Sequence, residues 1–518
     1  MVVIGSGVGG LTAAALLAKT GLKTVVFEAD NQIGGYMAGF TRKGFHFDSS
    51  IHWLNQCAPG ELAHNLWSQL DADVPTCPTL KNIHRYKSDN YDYLLTSNPL
   101  ELRDNFIKDF PDDEVGIRRF FDDARQLGRR LFAIGKLHTR KVEGVFGKLL
   151  RNLKMAYYGI GIIKYVRTPT IVGLNKYFKS PKLISVFSTR ESMISVMVPF
   201  CWAFDKSFQM PPKGGCRTIA SWLCDRLESF GGKIFLGKRV AKIIVDGNAA
   251  TGIRLENGEE IDADYVIAAC DVLQLYSKLL PKNTATPNFM KSMDDAILYT
   301  SNFSICLGLD CDPVALGFGE EVLNLIVPSL EHDDRRESVI MIIAPSVRDE
   351  SAAPSGKGTL TIHCPIGMDY CNYWHTDNGF KRGNAYYELK TKFTDKLMSC
   401  VENSMHLNLR DHVEVMEVAT PITYWRYTAN DKGSTMGTKP CRHNIKAKIS
   451  SYKTPIENVW VGGHGADYGG GVPMAAAAGA NACLAILKEV NQVEFDKLCA
   501  VMDFDVKAIT ILPTQMKP

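Results

Sequence analysis

The chain has 518 residues, more than one hydrophobic core usually serves, so two or three domains are expected. Its 45% hydrophobic and 22% charged residues are ordinary for a soluble globular protein, and a formal net charge of +3 is too small to point to nucleic acid, so no nucleic-acid partner is expected. Fourteen cysteines occur without a single C-x-x-C pair, which leaves a zinc site or a redox dithiol without spacing support; they read as reduced thiols in a cytoplasmic protein, mostly small core hydrophobes.

In chain order, Val2-Val3-Ile4 predicts a short first strand directly after Met1. Gly5-Ser6-Gly7-Val8-Gly9-Gly10 follows as G-x-G-x-x-G, then an Ala/Leu-rich helix to Lys19 and a second strand from Thr24 to Phe27. The first glycine permits the tight turn, the second lets backbone approach a pyrophosphate, and the third lets the helix pack on the strand. The helix N-terminus turns N–H groups and a positive dipole end toward the phosphates. Glu28 ends the second strand at the interval where a carboxylate accepts from ribose hydroxyls. Strand, glycines, helix and acid together specify a dinucleotide site. The apolar run from Leu11 to Leu17 is no membrane span, because Lys19 and Lys23 interrupt it.

Residues 35–53 read as turn-rich with short strands, and 59–132 as helical. From Arg129 to Arg190, fourteen Lys or Arg stand against one acid, Glu143, interleaved with Phe146, Leu149, Leu150, Tyr157, Tyr158, Ile160, Ile162, Ile163 and Tyr165. A basic, aromatic-rich surface of this kind suits anionic lipid headgroups, so peripheral membrane association is expected; a solvated basic face over a helical lobe is the plainer reading.

Pro211-Pro212-Lys213-Gly214-Gly215 marks a return to the first domain. A helix from Ile219 to Leu227, a strand at 233–236, and strands at 240–245, 252–255 and 261 follow, turned by Asp246-Gly247-Asn248 and Asn257-Gly258. Ala263 to Ala269 reads as a buried parallel strand. Near the C-terminus, Val459-Trp460-Val461-Gly462-Gly463 and Gly469-Gly470-Gly471-Val472-Pro473 read as strand, glycine loop and helix, with Pro473 in the first turn. Such a helix N-terminus stabilises negative charge on a reduced isoalloxazine.

Three features select FAD: Gly34-Gly35 at the spacing seen in two-domain flavoproteins, the strand at Val240 that resembles their adenine-contacting piece, and the C-terminal glycine loop. On these motifs the chain resembles the carotenoid and retinoid oxidoreductases: phytoene desaturases, carotenoid isomerases and retinol saturases. Where the desaturases carry Arg after the glycine pair, this chain has Tyr36. Phe47-Asp48-Ser49-Ser50-Ile51-His52-Trp53 is similar to the F-D-x-G-I-H-Y stretch of retinol saturases. Thr420-Pro421-Ile422-Thr423-Tyr424-Trp425-Arg426, followed by Gly433 and Gly437, is similar to the T-P-x-T-x-x-R segment of carotenoid isomerases.

The resemblance implies an α/β fold. Its FAD-binding Rossmann-type domain, like that of glutathione reductase and amine oxidases, is built from discontinuous segments 1–58, 211–285 and 452–490. An α+β substrate domain with a helical, membrane-facing lobe takes 59–210 and 286–451, and 491–518 forms a tail. It implies FAD held by Gly5, Ser6, Gly7, Gly9, Gly10, Glu28, Ala29, Gly34, Gly35, Tyr36, Met37, Ser50, Val240, Asp271, Gly463, Asp467, Gly471, Val472 and Pro473. The substrate is then a hydrophobic polyene in a long apolar tunnel, saturated or isomerised, with His52 and Arg426 as candidate catalytic residues and Tyr424 and His464 nearby. Trp425, Tyr370, Tyr373 and Trp374 are candidate tunnel walls. Three alternatives stay open: desaturation, an amine substrate as in amine oxidases, and flavin-free prenyl-lipid binding as in Rab GDP-dissociation inhibitors. No metal site is expected, since His375 and His443 lack partners at ligand spacing, and no oligomeric state is specified.

Overall fold

The structure, a computed structural model, describes residues 1–139, 145–188, 192–330, 337–377, 379–466 and 470–502. Its first layer is a five-stranded parallel sheet in the order Val459–Val461, Val266–Ala268, Val2–Ile4, Val25–Phe27, Lys233–Phe235. Val2–Ile4, Val266–Ala268 and Val459–Val461 are buried at every position, the continuous apolar pattern of strands covered on both faces. The helix Val8–Lys19 crosses between the first two parallel strands, which pair Val3 with Val26. An antiparallel meander of Val240–Asp246, Ala249–Leu255 and Glu260–Asp262 packs beside this sheet, as the turn pairs predict.

The second layer is a seven-stranded sheet in the order Val413–Ala419, Asn302–Leu309, Gly358–Pro365, Glu337–Ile343, Val322–Pro328, Asn82–Ser88, Tyr91–Thr96. The last two strands correct the helical expectation for 59–132. Residues 82–96 form a hairpin, and its first strand pairs in parallel with Val322–Pro328, aligning His84 with Val322. A partner so distant in sequence overrides local preference, and Ile83, Tyr86, Tyr93 and Leu95 are buried by it. A short ribbon, Gly39–Arg42 with Phe45–Asp48, links the two layers.

Helices Pro99–Asp109, Glu114–Thr139, Val145–Arg167 and Met193–Phe204 form a lobe at the end of the large sheet. Its core is aromatic: Phe106, Phe120, Phe121, Phe187 and Phe200 are buried, and Phe200 meets Phe120 and Phe121 edge to face at 5.3 Å. Within the expected C-terminal tail, Gln492–Met502 is a helix whose Phe495 and Leu498 join the core of the parallel-sheet domain.

The helices Val8–Lys19 and Val472–Val490 approach backbone to backbone. A Cβ on Gly479 would stand 2.1 Å from the Gly9 carbonyl oxygen, and one on Gly9 would stand 2.4 Å from that of Gly462. Neither contact leaves room for a methyl group. Gly479→Val is expected to cost about 1–3 kcal/mol by overpacking, read as a lower urea midpoint. Gly159→Ala, whose Cβ would meet nothing within 4 Å, is expected to leave that midpoint unchanged or slightly raised.

Candidate active site

One cavity of about 2250 Å³ opens at the C-terminal ends of the parallel strands and continues into the helical lobe. Doubly wound sheets bind ligands at that end, and the volume exceeds twice the roughly 1,000 Å³ upper range of single-ligand pockets.

At the strand end, Gly5 turns with φ +99°, and Gly5, Gly7 and Gly9 line the cavity. A Cβ on Gly7 would meet nothing within 4 Å, so this backbone faces open space of the kind a diphosphate needs. Gly10 does not line the cavity; its place is against Gly5, whose carbonyl oxygen a Cβ would meet at 2.2 Å. Ser6 is also withdrawn. Its N–H and hydroxyl donate to one Glu28 oxygen at 2.8 and 2.7 Å, while the Asp30 N–H donates to the other at 2.8 Å. These bonds fix the Glu28 carboxylate on the cavity wall beside Ala29 and Val240. Arg239 and Glu256, paired at 3.5 Å, line the same end; sequence reasoning missed them, although Arg239 adjoins Val240.

Further in, Gly34, Gly35, Tyr36, Met37, Ser50, Asp271, Gly463, His464, Gly471, Val472 and Pro473 all line the cavity, while Asp467 lies outside the described residues. Asp271 caps a short helix, accepting from the Gln274 N–H at 3.0 Å and from the Asp431 N–H at 3.3 Å, and burial raises its pKa. The Tyr36 hydroxyl donates to the Ser434 carbonyl at 2.7 Å, and burial pushes it up to about 12. Gly471, at φ +88°, turns the chain into the helix Val472–Val490, whose first turn holds Pro473. His464 packs on Gly437, where a Cβ would stand 2.6 Å from its ring, and burial lowers its pKa.

His52 and Arg426 both line this cavity, from the loop after the ribbon and from the helix Pro421–Thr428. His52 is 3% exposed, its ring centroid lies 4.5 Å from that of His363, and neither ring nitrogen has a hydrogen-bond partner among the described residues. Burial, then the neighbouring His363 and Arg348, hold His52 well below the ordinary imidazole range, so it is neutral. Behind it runs a buried polar chain: His363 Nδ1 lies 2.7 Å from the Ser304 hydroxyl, which lies 2.6 Å from the Tyr424 hydroxyl. Tyr424 therefore belongs to this second row, outside the cavity wall. Trp425 does line the cavity. Tyr370, Tyr373 and Trp374 do not: Trp374 is fully buried in the large-sheet core, stacked on Phe303 at 5.5 Å, its indole N–H donating to the Gly367 carbonyl at 3.1 Å. An aromatic cluster in sequence marks a core as readily as a tunnel.

The lobe end is apolar. Leu131, Ile134, Met155, Ile162, Val166, Ile194, Val198, Trp202 and Phe208 line it, with Trp53 between the two halves. Elsewhere, Asp310, Cys311 and His412 bring potential metal-ligand atoms within 4.8 Å of one another, a grouping that sequence spacing does not reveal; none of them lines the cavity.

Known proteins fit this arrangement. The chain is 25% identical to all-trans-retinol 13,14-reductase of Danio rerio, over 89% of this chain and 82% of that protein. It is 27% identical to chloroplastic prolycopene isomerase 1 of an Oncidium hybrid cultivar, over 85% and 75% of the two chains. An oxidoreductase from Methanosarcina mazei has a similar fold, with a TM-score of 0.60 at 18% identity, covering 94% of this chain and 99% of that one. Residues 8–487 match the model of the flavin containing amine oxidoreductases, and the chain belongs to that family of flavin-dependent oxidoreductases.

Proposed function

We propose that the chain binds FAD and saturates a double bond of an apolar polyene, carotenoid or retinoid in kind, taken up at a membrane surface. The observation that carries this reading is the continuity of one cavity from a dinucleotide cradle into an apolar bore. Glu28 and the backbone at Gly7 would hold the ribose and diphosphate, Val240 and Arg239 the adenine end, and the helix start at Gly471–Pro473 the isoalloxazine. Bound there, FAD supplies hydride exchange with the polyene. The bore offers the substrate burial in place of a charged handle, at about 25 cal/mol per Å² of apolar surface removed from water. Neutral His52, on the cavity wall with both nitrogens unpartnered among the described residues, would deliver the proton that saturation needs beside the hydride. The similarity to a retinol 13,14-reductase supports the same direction.

Isomerisation is a second reading, favoured by one segment. Thr420 and Thr423 form a capping box that starts the helix Pro421–Thr428, and this helix sets Trp425 and Arg426, part of the isomerase-like motif, on the cavity wall.

The helix Val145–Arg167 supports membrane uptake. Met155, Ile162 and Val166 line the cavity, while Leu149, Leu153, Tyr157 and Ile160 are more than half exposed, Ile160 at 72%, beside Lys154 and Lys164. No helix among the described residues is long and apolar enough to cross a membrane, so the attachment proposed is peripheral, on the cytoplasmic side where free thiols persist.

Gly7→Leu is expected to fold, with an unchanged circular dichroism spectrum, yet to purify without flavin absorbance; stoichiometric FAD in the variant would refute the cradle. With liposome-held polyenes and a reductant, the product is expected to gain two hydrogens by mass. No mass change would indicate isomerisation, and a loss of two would indicate desaturation. Neutralising Arg151, Lys154 and Lys164 is expected to weaken co-sedimentation with anionic liposomes roughly a hundredfold, at about 1 kcal/mol per basic residue.

A further inference from the structure

A second cavity, of about 180 Å³, adjoins the first, and His52 is the one described residue that lines both. Its other walls include Asp48, Arg217, Arg348, Asp349 and Ser351. Asp48 ends the ribbon and accepts from the Cys216 N–H at 2.9 Å; Gly215, at φ +84°, passes so close that a Cβ would stand 2.8 Å from the carboxylate. Arg348 donates from Nε to the Glu320 carbonyl at 2.7 Å and from Nη1 to the carbonyl of His52 itself. Its Nη2 is buried and, like both ring nitrogens of His52, has no partner among the described residues.

Buried donors and acceptors are rarely left without partners; apolar side chains such as Phe47 and Ile343 also line this space, but with these unpartnered groups on its wall it has room for about six waters at roughly 30 Å³ each. The charged groups around it are mixed. Arg217, Arg348 and Asp349 face Asp48, and His363 and Arg348 face His52. Burial outweighs the two arginines and lifts the Asp48 carboxyl to about 7, where it exchanges protons readily at neutral pH.

We propose that the second cavity holds a water cluster in proton exchange with solvent, that Asp48 is the carboxyl store on it, and that His52 passes protons across the shared wall to the reaction cavity. The use of the proton rests on the saturase reading. In that reaction the π bond would break, bound reduced flavin would supply the hydride for one new C–H bond, and a proton from His52 would form the other. The substrate would gain two electrons, and the added reductant would return two to the flavin. His52 accepts a replacement proton at its other nitrogen from the water cluster, Asp48 resupplies the water, and solvent reprotonates Asp48. An imidazole with both nitrogens unpartnered can accept on one side while it releases on the other.

Infrared spectroscopy of the full-length, flavin-loaded protein tests the store without any substrate. A carboxylic-acid C=O band is expected that titrates near pH 7, is missing in Asp48→Asn, and shifts within mixing time on transfer to D₂O. The absence of such a band, or a band that stays unshifted for hours, would overturn the proposal. Turnover tests the transfer. His52→Gln is expected to lower kcat by about 10²–10⁴-fold with KM and the flavin spectrum unchanged, and added imidazole is expected to restore part of the rate. Ala352→Leu, which puts a larger side chain into the second cavity while leaving the identity of both proton carriers intact, is expected to slow kcat in the same way. Wild-type kcat in His52→Gln would overturn the relay. A wild-type protein idle on every polyene sinks only the saturase reading, since the infrared band still decides the proton store.

Discussion

The approach of Gly9 to Gly479 sets the geometry on which the rest depends. Two helices from opposite ends of the chain touch through backbone, with no side chain between them. That closeness draws Gly462 and Gly463 beneath the first helix and puts the two glycine loops on one crevice. Were the helices held apart by ordinary side chains, at the usual 8–10 Å of helix packing, the two glycine loops would not share a wall. Glycine costs helix stability, roughly 0.5–1 kcal/mol against alanine, and here that cost is offset by the contact it permits.

The cradle is satisfied and tight, while the region beside it is neither. Glu28 takes three hydrogen bonds, and Asp271 takes two from backbone. On the cavity wall at His52 and just behind it, both His52 ring nitrogens, the distal nitrogen of His363 and one arm of Arg348 are buried without partners among the described residues. Each such group carries a desolvation cost of about 1–3 kcal/mol. A fold that satisfies the two carboxylates of its glycine cradle so completely, yet leaves these groups open, places part of its polar shortfall around His52.

Much of the cradle was legible because its determinants are local. Gly5, Gly7 and Glu28 lie within one βαβ unit, and Gly471 and Pro473 within one loop and helix start, so spacing alone carries their geometry. Local patterning also located the meander around Val240. It failed where the partner is remote. Residues 82–96 are strands because Val322–Pro328 lies beside them, a fact no window of the hairpin contains. The adjacency of His52, Asp48 and Arg348 depends on the ribbon and the large sheet meeting, so Arg348 carried no signal in the sequence and Asp48 only that of its motif. Tyr370, Tyr373 and Trp374 were misplaced for a different reason: an aromatic residue has the same signature in a core as on a tunnel wall.

The order of strands in the parallel sheet has a consequence for how the protein is made. Val2–Ile4 leaves the ribosome well before its neighbour Val266–Ala268, and Val459–Val461, which closes the sheet on that side, follows later still. The helical lobe and most of the large sheet can be complete before the crevice has its second wall. Long-range pairings of this kind form late, after the loop-closure entropy of the intervening chain has been met. A cofactor held in the crevice would thus meet a nearly finished fold, and its binding free energy would fall on the seam between segments far apart in the chain, stabilising the native state more as its concentration rises above its Kd.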